Sequence, residues 1–184
     1  IVDLIEDRLA HGPGDLRGAR AHVDDEKRAL IYRAYEVYPH GHPQAGRRRF
    51  RRVAWSLRKG TAKTEVAAWI AAVELHPEGP VRCDGWRRQG SAWVPLGAPV
   101  TDPYIPLVAY TEEQSDELAF AALYVAISEG PDANLFDIGL ARIMRKNGDG
   151  KAVSLATAPD SRDGARTTFE LADETHRLTL PRQR

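Results

Sequence analysis

The stretch Phe50-Arg51-Arg52-Val53-Ala54-Trp55-Ser56-Leu57-Arg58-Lys59-Gly60-Thr61-Ala62-Lys63-Thr64-Glu65 decides the fold. Its first part, 50–56, alternates apolar and polar positions and reads as a strand. Leu57 to Thr64 is a short loop, and a helix-forming run from Glu65 to His76 follows. Strand, tight loop and a helix opening on Lys-Thr form the grip used for a nucleoside triphosphate. Backbone N–H groups and the positive end of the helix dipole then face the phosphates. In that arrangement Lys63 reaches the β- and γ-phosphates and the Thr64 hydroxyl holds Mg²⁺. The usual spacing, G-x-x-x-x-G-K-[ST], wants glycines where this chain has Leu57 and Ala62. The alternative is a solvated lysine at a helix start, where its charge opposes the dipole. Arg58, Lys59 and Lys63 crowd positive charge that an anion among them relieves, which favours the phosphate reading.

A length of 184 residues suits one domain, or a domain carrying an insertion, with enough chain for a real core. The 26 basic residues balance 26 acidic ones, so bulk charge points to no nucleic-acid tail and any such surface is local. Cys83 is the single cysteine. That excludes an internal disulfide framework and a multi-cysteine metal site, and it fits a reducing compartment. No apolar run approaches membrane-spanning length, and Ile1-Val2-Asp3-Leu4 does not read as a signal peptide. The expectation is a soluble, cytoplasmic protein with no membrane partner, and the lack of an initiating Met points to a fragment or to a chain with further residues at its ends.

Outward from the central stretch, residues 1–23 read as irregular, with Gly12-Pro13-Gly14 as a breaker. A helix begins near Asp24 or Asp25, with Leu30, Ile31, Ala34 and Val37 as its buried face. Tyr32 and Tyr35 either lie near a bound adenine or simply pack, the second being the ordinary use of a tyrosine. Arg47-Arg48-Arg49 and Arg51-Arg52 crowd the entry to the central strand. They either contact phosphate or DNA, or line a solvated strand end. The run after the loop is apolar nearly all round, as a helix buried between sheet and neighbours must be. Residues 77–103, punctuated by Pro and Gly, read as a surface hairpin insertion. Arg82, Trp86, Arg87, Arg88 and Trp93 interleave charge with aromatics there. They suit a nucleic-acid strand, or more simply a hairpin whose tryptophans cover a sheet edge.

Tyr104 to Tyr110 is a further strand, near an edge because of Pro106, and Thr111-Glu112-Glu113-Gln114 is a capping box. The helix it opens buries Leu118, Ala121, Ala122 and Val125 and stops at Gly130-Pro131. Asn147-Gly148-Asp149-Gly150 marks a hairpin between 139–144 and 151–157. Thr167 to Ala172 is a last strand, and Asp173-Glu174-Thr175-His176 follows it. The order predicts an α/β fold of the P-loop NTPase kind (ASCE/RecA-like). Its sheet is mostly parallel, with helices on both faces and a β-hairpin insertion. A carboxylate pair at the end of a parallel strand sits where open α/β sheets bind ligands. Asp173 there holds Mg²⁺ beside Thr64, and Glu174 accepts a proton from the water that attacks the γ-phosphate, or orients it. The other reading of the pair is the first turn of a helix.

The set Trp55 to Glu65, Tyr110 to Gln114 and Phe169 to His176 resembles the ATPase domain of tailed-bacteriophage terminase large subunits, in the branch of actinobacterial phages and prophages. The likeness covers roughly residues 24–182. That family's basic phosphate loop tolerates missing glycines. The resemblance implies an ATPase motor with ATP and Mg²⁺ as cofactors, packing double-stranded DNA through a portal into a procapsid in the host cytoplasm. A small terminase subunit is implied as partner, and a homo-oligomeric ring as the assembled state. It carries residues 58–64 to nucleotide binding, Thr64 and Asp173 to the metal, and Glu174 to water activation. Arg58 or Lys59 becomes the charge-stabilising finger. The family continues into a lid and a nuclease, whereas this chain ends at Arg184. The expectation is therefore a single partial ATPase domain without nuclease activity. Two alternatives stand beside it: a DExH helicase-like translocase, prompted by Asp173-Glu174-Thr175-His176, and an ATP-binding module inactive as an isolated piece.

Overall fold

The computed structural model describes residues 1–58, 60–109, 119–156 and 166–172. The capping box at 111–114, Leu118, Lys59 and the carboxylates Asp173 and Glu174 lie outside the described residues.

The chain opens on a helix, α1 (Val2–Arg8), so the expectation of an irregular start over residues 1–23 is corrected. Val2, Ile5 and Leu9 are all buried, and their spacing is helical, but two turns are too short for the period to stand out. The second helix, α2 (Asp25–Ala34), begins as its cap predicts: Asp24 accepts a hydrogen bond from the Lys27 N–H at 2.9 Å. Ile31 and Ala34 are its buried positions.

Residues 50–56 form no strand, against expectation, and Arg51 to Ala54 are exposed. The reason lies in the pleat. A strand inside a parallel sheet is covered on both faces. Neighbouring residues point to opposite faces, so Arg51 and Arg52 would drive a guanidinium into each.

The third helix, α3 (Lys63–Leu75), is the centre of the molecule, and every residue from Ala68 to Leu75 is buried. A two-stranded antiparallel hairpin follows, β1 (Arg82–Gln89) and β2 (Ala92–Ala98), in the expected 77–103 insertion. Strand β3 (Tyr104–Ala109) comes next, then helix α4 (Ala121–Ser128). Three more strands succeed a short 3₁₀ turn: β4 (Phe136–Ile138), β5 (Arg142–Arg145) and β6 (Lys151–Ala156). The last described strand is β7 (Leu171–Ala172).

The main sheet has five strands in the order β4-β5-β6-β3-β7. β6, β3 and β7 are parallel to one another, and the β4–β5–β6 meander is antiparallel. The architecture is a mixed α/β one with two sheets, and the parallel strands form one side of the larger.

One face of this sheet, carrying Phe136, Ile143, Ala152, Ile105, Leu107 and Leu171, joins the buried cluster with α3. The described helices gather on that side: α3 lies on β3 and β6, α4 and α1 pack against α3, and α2 reaches it through Tyr35 and Glu74. Tyr104, Val108, Val153 and Leu155 on the second face are only half-buried. Of the helices on both faces that the sequence predicts, the described residues supply one layer. Among the described residues no helix is long and apolar enough to cross a membrane.

The direction of α3 follows from its C-terminal end. The buried Arg145 guanidinium donates to the Leu75 and His76 carbonyls, and also to those of Val100 and Thr101, just before β3. Arg145 follows the Met144–Lys151 pair, and Lys151 pairs with Tyr104, so this is where β3 and β6 begin. Thirteen residues of α3 span about 20 Å, as do the six of β3. The helix therefore runs against the parallel strands, and its N-terminus lies at the edge where β3, β6 and β7 end.

Candidate functional site

At that shared edge stands the described part of the predicted phosphate loop. The chain approaches through Arg58, Gly60, Thr61 and Ala62 and enters α3 at Lys63 and Thr64. The Thr61 hydroxyl donates to the Arg58 carbonyl at 2.8 Å and closes the turn. Gly60 takes φ +87° and Ala62 φ +55°, both left-handed. The left-handed region costs an L-residue about 1–2 kcal/mol, and Ala62 is the only described non-glycine residue there. Its position, immediately before the lysine, is where the phosphate-loop pattern has glycine. The sequence departs from the pattern, while the backbone keeps the conformation that glycine would serve.

The Ala62 carbonyl accepts from the Val66 N–H at 3.0 Å, and no side chain caps the helix. Lys63 and Thr64 are half-buried, whereas Arg58 and Gly60 are exposed. A helix start of this kind concentrates positive potential, and two further cations, Arg58 and Lys63, flank it.

The carboxylates meant to face this loop, Asp173 and Glu174, lie outside the described residues. Ala172, which precedes them in sequence, pairs with Val108 near the end of β3, on the edge where α3 opens. Among the described residues no cluster of three or more His, Cys, Asp or Glu is arranged to hold a metal ion. A magnesium site of the predicted kind needs no such cluster. It draws on a hydroxyl, one carboxylate, waters and phosphate oxygens, which is the donor set of Thr64, Asp173 and a bound triphosphate.

Beside the loop is a feature that sequence reasoning missed. A cavity of about 310 Å³ opens against Ala62 and is lined by His11, Gly12, His22, Glu65 and Trp69 among others. The Glu65 carboxylate accepts from the Gly12 N–H at 2.8 Å and lies 3.0 Å from His11 Nδ1. The Trp69 indole packs edge-on to the His11 ring at 5.2 Å and donates to the Ala10 carbonyl at 3.0 Å. His11 and Ala19 close a loop over the intervening residues, the His11 N–H donating to the Ala19 carbonyl at 2.8 Å. Gly12-Pro13-Gly14 is legible only as a breaker. The signal available was the His-Gly pair ahead of Pro13, which lets backbone and imidazole meet a carboxylate together.

Of the two tyrosines weighed for a base pocket, Tyr35 lies away from the loop. Tyr32 is exposed on α2. The Tyr35 hydroxyl donates to Glu74 at 2.7 Å, on the last turn of α3 and about 16 Å along the helix from Lys63. Burial, then the Glu74 charge, pushes the Tyr35 phenol well above its ordinary value, so it is a neutral packing residue. Arg48 is half-buried and engaged: it donates to the buried Glu74 at 2.6 Å and to the Val81 carbonyl at 2.7 Å, and lies over the Tyr35 ring. Arg49 pairs with Glu36, while Arg47, Arg51 and Arg52 are exposed.

The chain matches no protein-family model, no curated protein and no solved structure.

Proposed function

We propose that this chain binds a nucleoside triphosphate with Mg²⁺ at the N-terminus of α3 and hydrolyses its γ-phosphate, as the motor part of a terminase-type DNA-packaging ATPase. The observation that carries the reading is the antiparallel run of α3 against β3 and β6. It sets Arg58 and residues 60–64 toward the edge where β7 ends at Ala172, the residue before Asp173 in sequence. The left-handed Ala62 and the cavity beside it support the reading further, one as the phosphate turn, the other as room for base and sugar.

The roles follow from chemistry. Lys63 neutralises β- and γ-phosphate oxygens, and the loop N–H groups orient them. Thr64 and Asp173 would hold Mg²⁺, which when bound supplies charge neutralisation on the phosphate oxygens. Glu174 takes a proton from water as the water oxygen bonds to the γ-phosphorus and the bond to the bridging oxygen breaks. Arg58 or Lys59 offsets the charge that develops on the transferred group. Double-stranded DNA, a portal-bearing procapsid, a small subunit and a ring of copies belong to the same proposal.

Titration calorimetry with an ATP analogue and a phosphate-release assay test it together. Lys63→Ala is expected to weaken nucleotide binding at least tenfold. Glu174→Gln is expected to keep binding and lose turnover by two orders of magnitude or more, the range of general-base removal. Unchanged turnover in Glu174→Gln would remove the base, and unchanged binding in Lys63→Ala would remove the site. A second reading, a binding module without turnover, is favoured by one observation: residues 50–56, which should brace the loop as a strand, carry no sheet pairing. It predicts analogue binding with no phosphate release, with or without DNA.

A further inference from the structure

The β1–β2 hairpin and the loop at 38–47 build a surface that the nucleotide reading does not use. In the hairpin register Arg88 faces Trp93 and Trp86 faces Pro95. Paired residues share a face, as do residues two apart. Trp86, Arg88 and Trp93 therefore stand on one face, and Arg87, opposite Val94, on the other.

The loop brings His40 onto that first face. Its ring stacks on Trp93 at 4.3 Å and 14°, and meets Trp86 edge-on at 5.7 Å. Trp93 nonetheless stays 46% exposed, a large value for a ring already stacked on one side. β1 and β2 form a two-stranded sheet of their own, not hydrogen-bonded to the main sheet.

Charge at this surface is one-sided. Arg47 is exposed beside Gly46, which abuts the Cys83 side chain of β1. Neither Arg47 nor Arg88 forms an ion pair with a carboxylate among the described residues. Asp84, the acid within the hairpin strands, is engaged by Arg82, and Glu36, just ahead of the loop, by Arg33 and Arg49. In a chain with no net charge, uncompensated arginines beside open aromatic faces are a local feature, complementary to a polyanion that also offers flat rings.

We propose that the face carrying His40, Trp86, Arg88 and Trp93, with Arg47 at its side, binds single-stranded nucleic acid. Bases stack on Trp93 and phosphates pair with the arginines. A duplex keeps its bases stacked internally and offers this surface only phosphates, so the open indole selects the single strand. The inference is independent of the nucleotide site.

Fluorescence anisotropy on the full chain, with a labelled oligodeoxythymidylate of about 20 nucleotides and a duplex of matching length, tests it. The single strand is expected to bind more tightly than the duplex and to quench tryptophan emission. Trp93→Ala is expected to weaken binding about tenfold, and Trp93→Phe to recover most of it. Arg88→Ala should lower affinity and reduce the salt slope by about 0.7 for each phosphate that the variant leaves unpaired. Arg87→Ala, on the opposite face, should leave that slope unchanged, and Lys63→Ala should leave binding intact. No binding at low salt, a duplex preference indifferent to Trp93→Ala, or an equal fall in slope at Arg87 and Arg88 would each overturn the proposal. Circular dichroism of each variant establishes that the fold survives the substitution.

Discussion

Ala62 holds a conformation that its own Cβ resists. Glycine would remove a cost of about 1–2 kcal/mol for the left-handed turn and add about 0.5–1 kcal/mol of unfolded-state entropy. Ala62→Gly is therefore expected to stabilise the chain by about 0.5 kcal/mol, a rise in Tm of one or two degrees. Ala62→Val, with a branched Cβ at positive φ, should lower Tm instead; a thermal melt separates the two. His76 permits a pH prediction. Its Nδ1 accepts from the Glu78 N–H at 3.0 Å, so the neutral ring carries its proton on Nε2, 3.0 Å from Asp132. Burial holds its pKa below the ordinary 6.5, against the pull of Asp132. Below pH 6.5 the unfolded chain thus binds a proton that the folded chain refuses, so stability present at higher pH is lost as pH falls through that value. His76→Gln should flatten this part of the stability profile, measured by urea unfolding between pH 5 and 8.

At the scale of elements, α3 is fixed at both ends, by Glu65 against the 11–12 turn and by the Arg145 fork under its last carbonyls. A cation at a helix C-terminus is favourable, and this one also binds the Val100 and Thr101 carbonyls that lead into β3. Arg145→Met should cost about 2–4 kcal/mol in chemical denaturation, because several buried carbonyls lose their donor together. Arg145→Lys should recover little of it, since an ammonium cannot span the fork. The burial of α3 is legible because its run from Val66 to Leu75 has scarcely a polar position, and the β5–β6 hairpin because Asn147-Gly148 names its turn. The stretch 50–56 misleads because its alternation speaks for a strand while its arginines load both faces of that strand with charge. The role of Arg145 has no sequence signal, for nothing local says that one arginine in a short strand will find four carbonyls. If 50–58 carries no sheet pairing, limited trypsin treatment should cut after Arg51, Arg52 or Arg58 well before Arg145, as mass spectrometry of early fragments would show. Early protection of all three sites would mean that this segment is paired after all.

For the molecule as a whole, the N-terminal segment belongs to the core. Val2, Ile5, Leu9, Ala10, Ala21 and Val23 are each at most 3% exposed. Its backbone also serves the helices: the Ala10 N–H donates to Ala126 and the Ala10 carbonyl accepts from Trp69, while Arg8 pairs with Asp132, the partner of His76. Burying Val2, Ile5 and Leu9 contributes about 5–9 kcal/mol at 1.5–3 kcal/mol each. That is comparable to the entire stability of an ordinary domain. A chain lacking residues 1–22 should therefore lose its cooperative thermal transition and its near-ultraviolet tryptophan signal, rather than melt a few degrees lower. Ile5→Ala in the intact chain should cost about 2–5 kcal/mol with the transition still cooperative, which separates a lost core residue from a lost framework. A truncated chain that melts cooperatively at the original temperature would place α1 outside the fold. It would also leave the cavity at Glu65 without the wall that His11 and Gly12 supply, so the base-and-sugar part of the nucleotide proposal stands or falls with this segment.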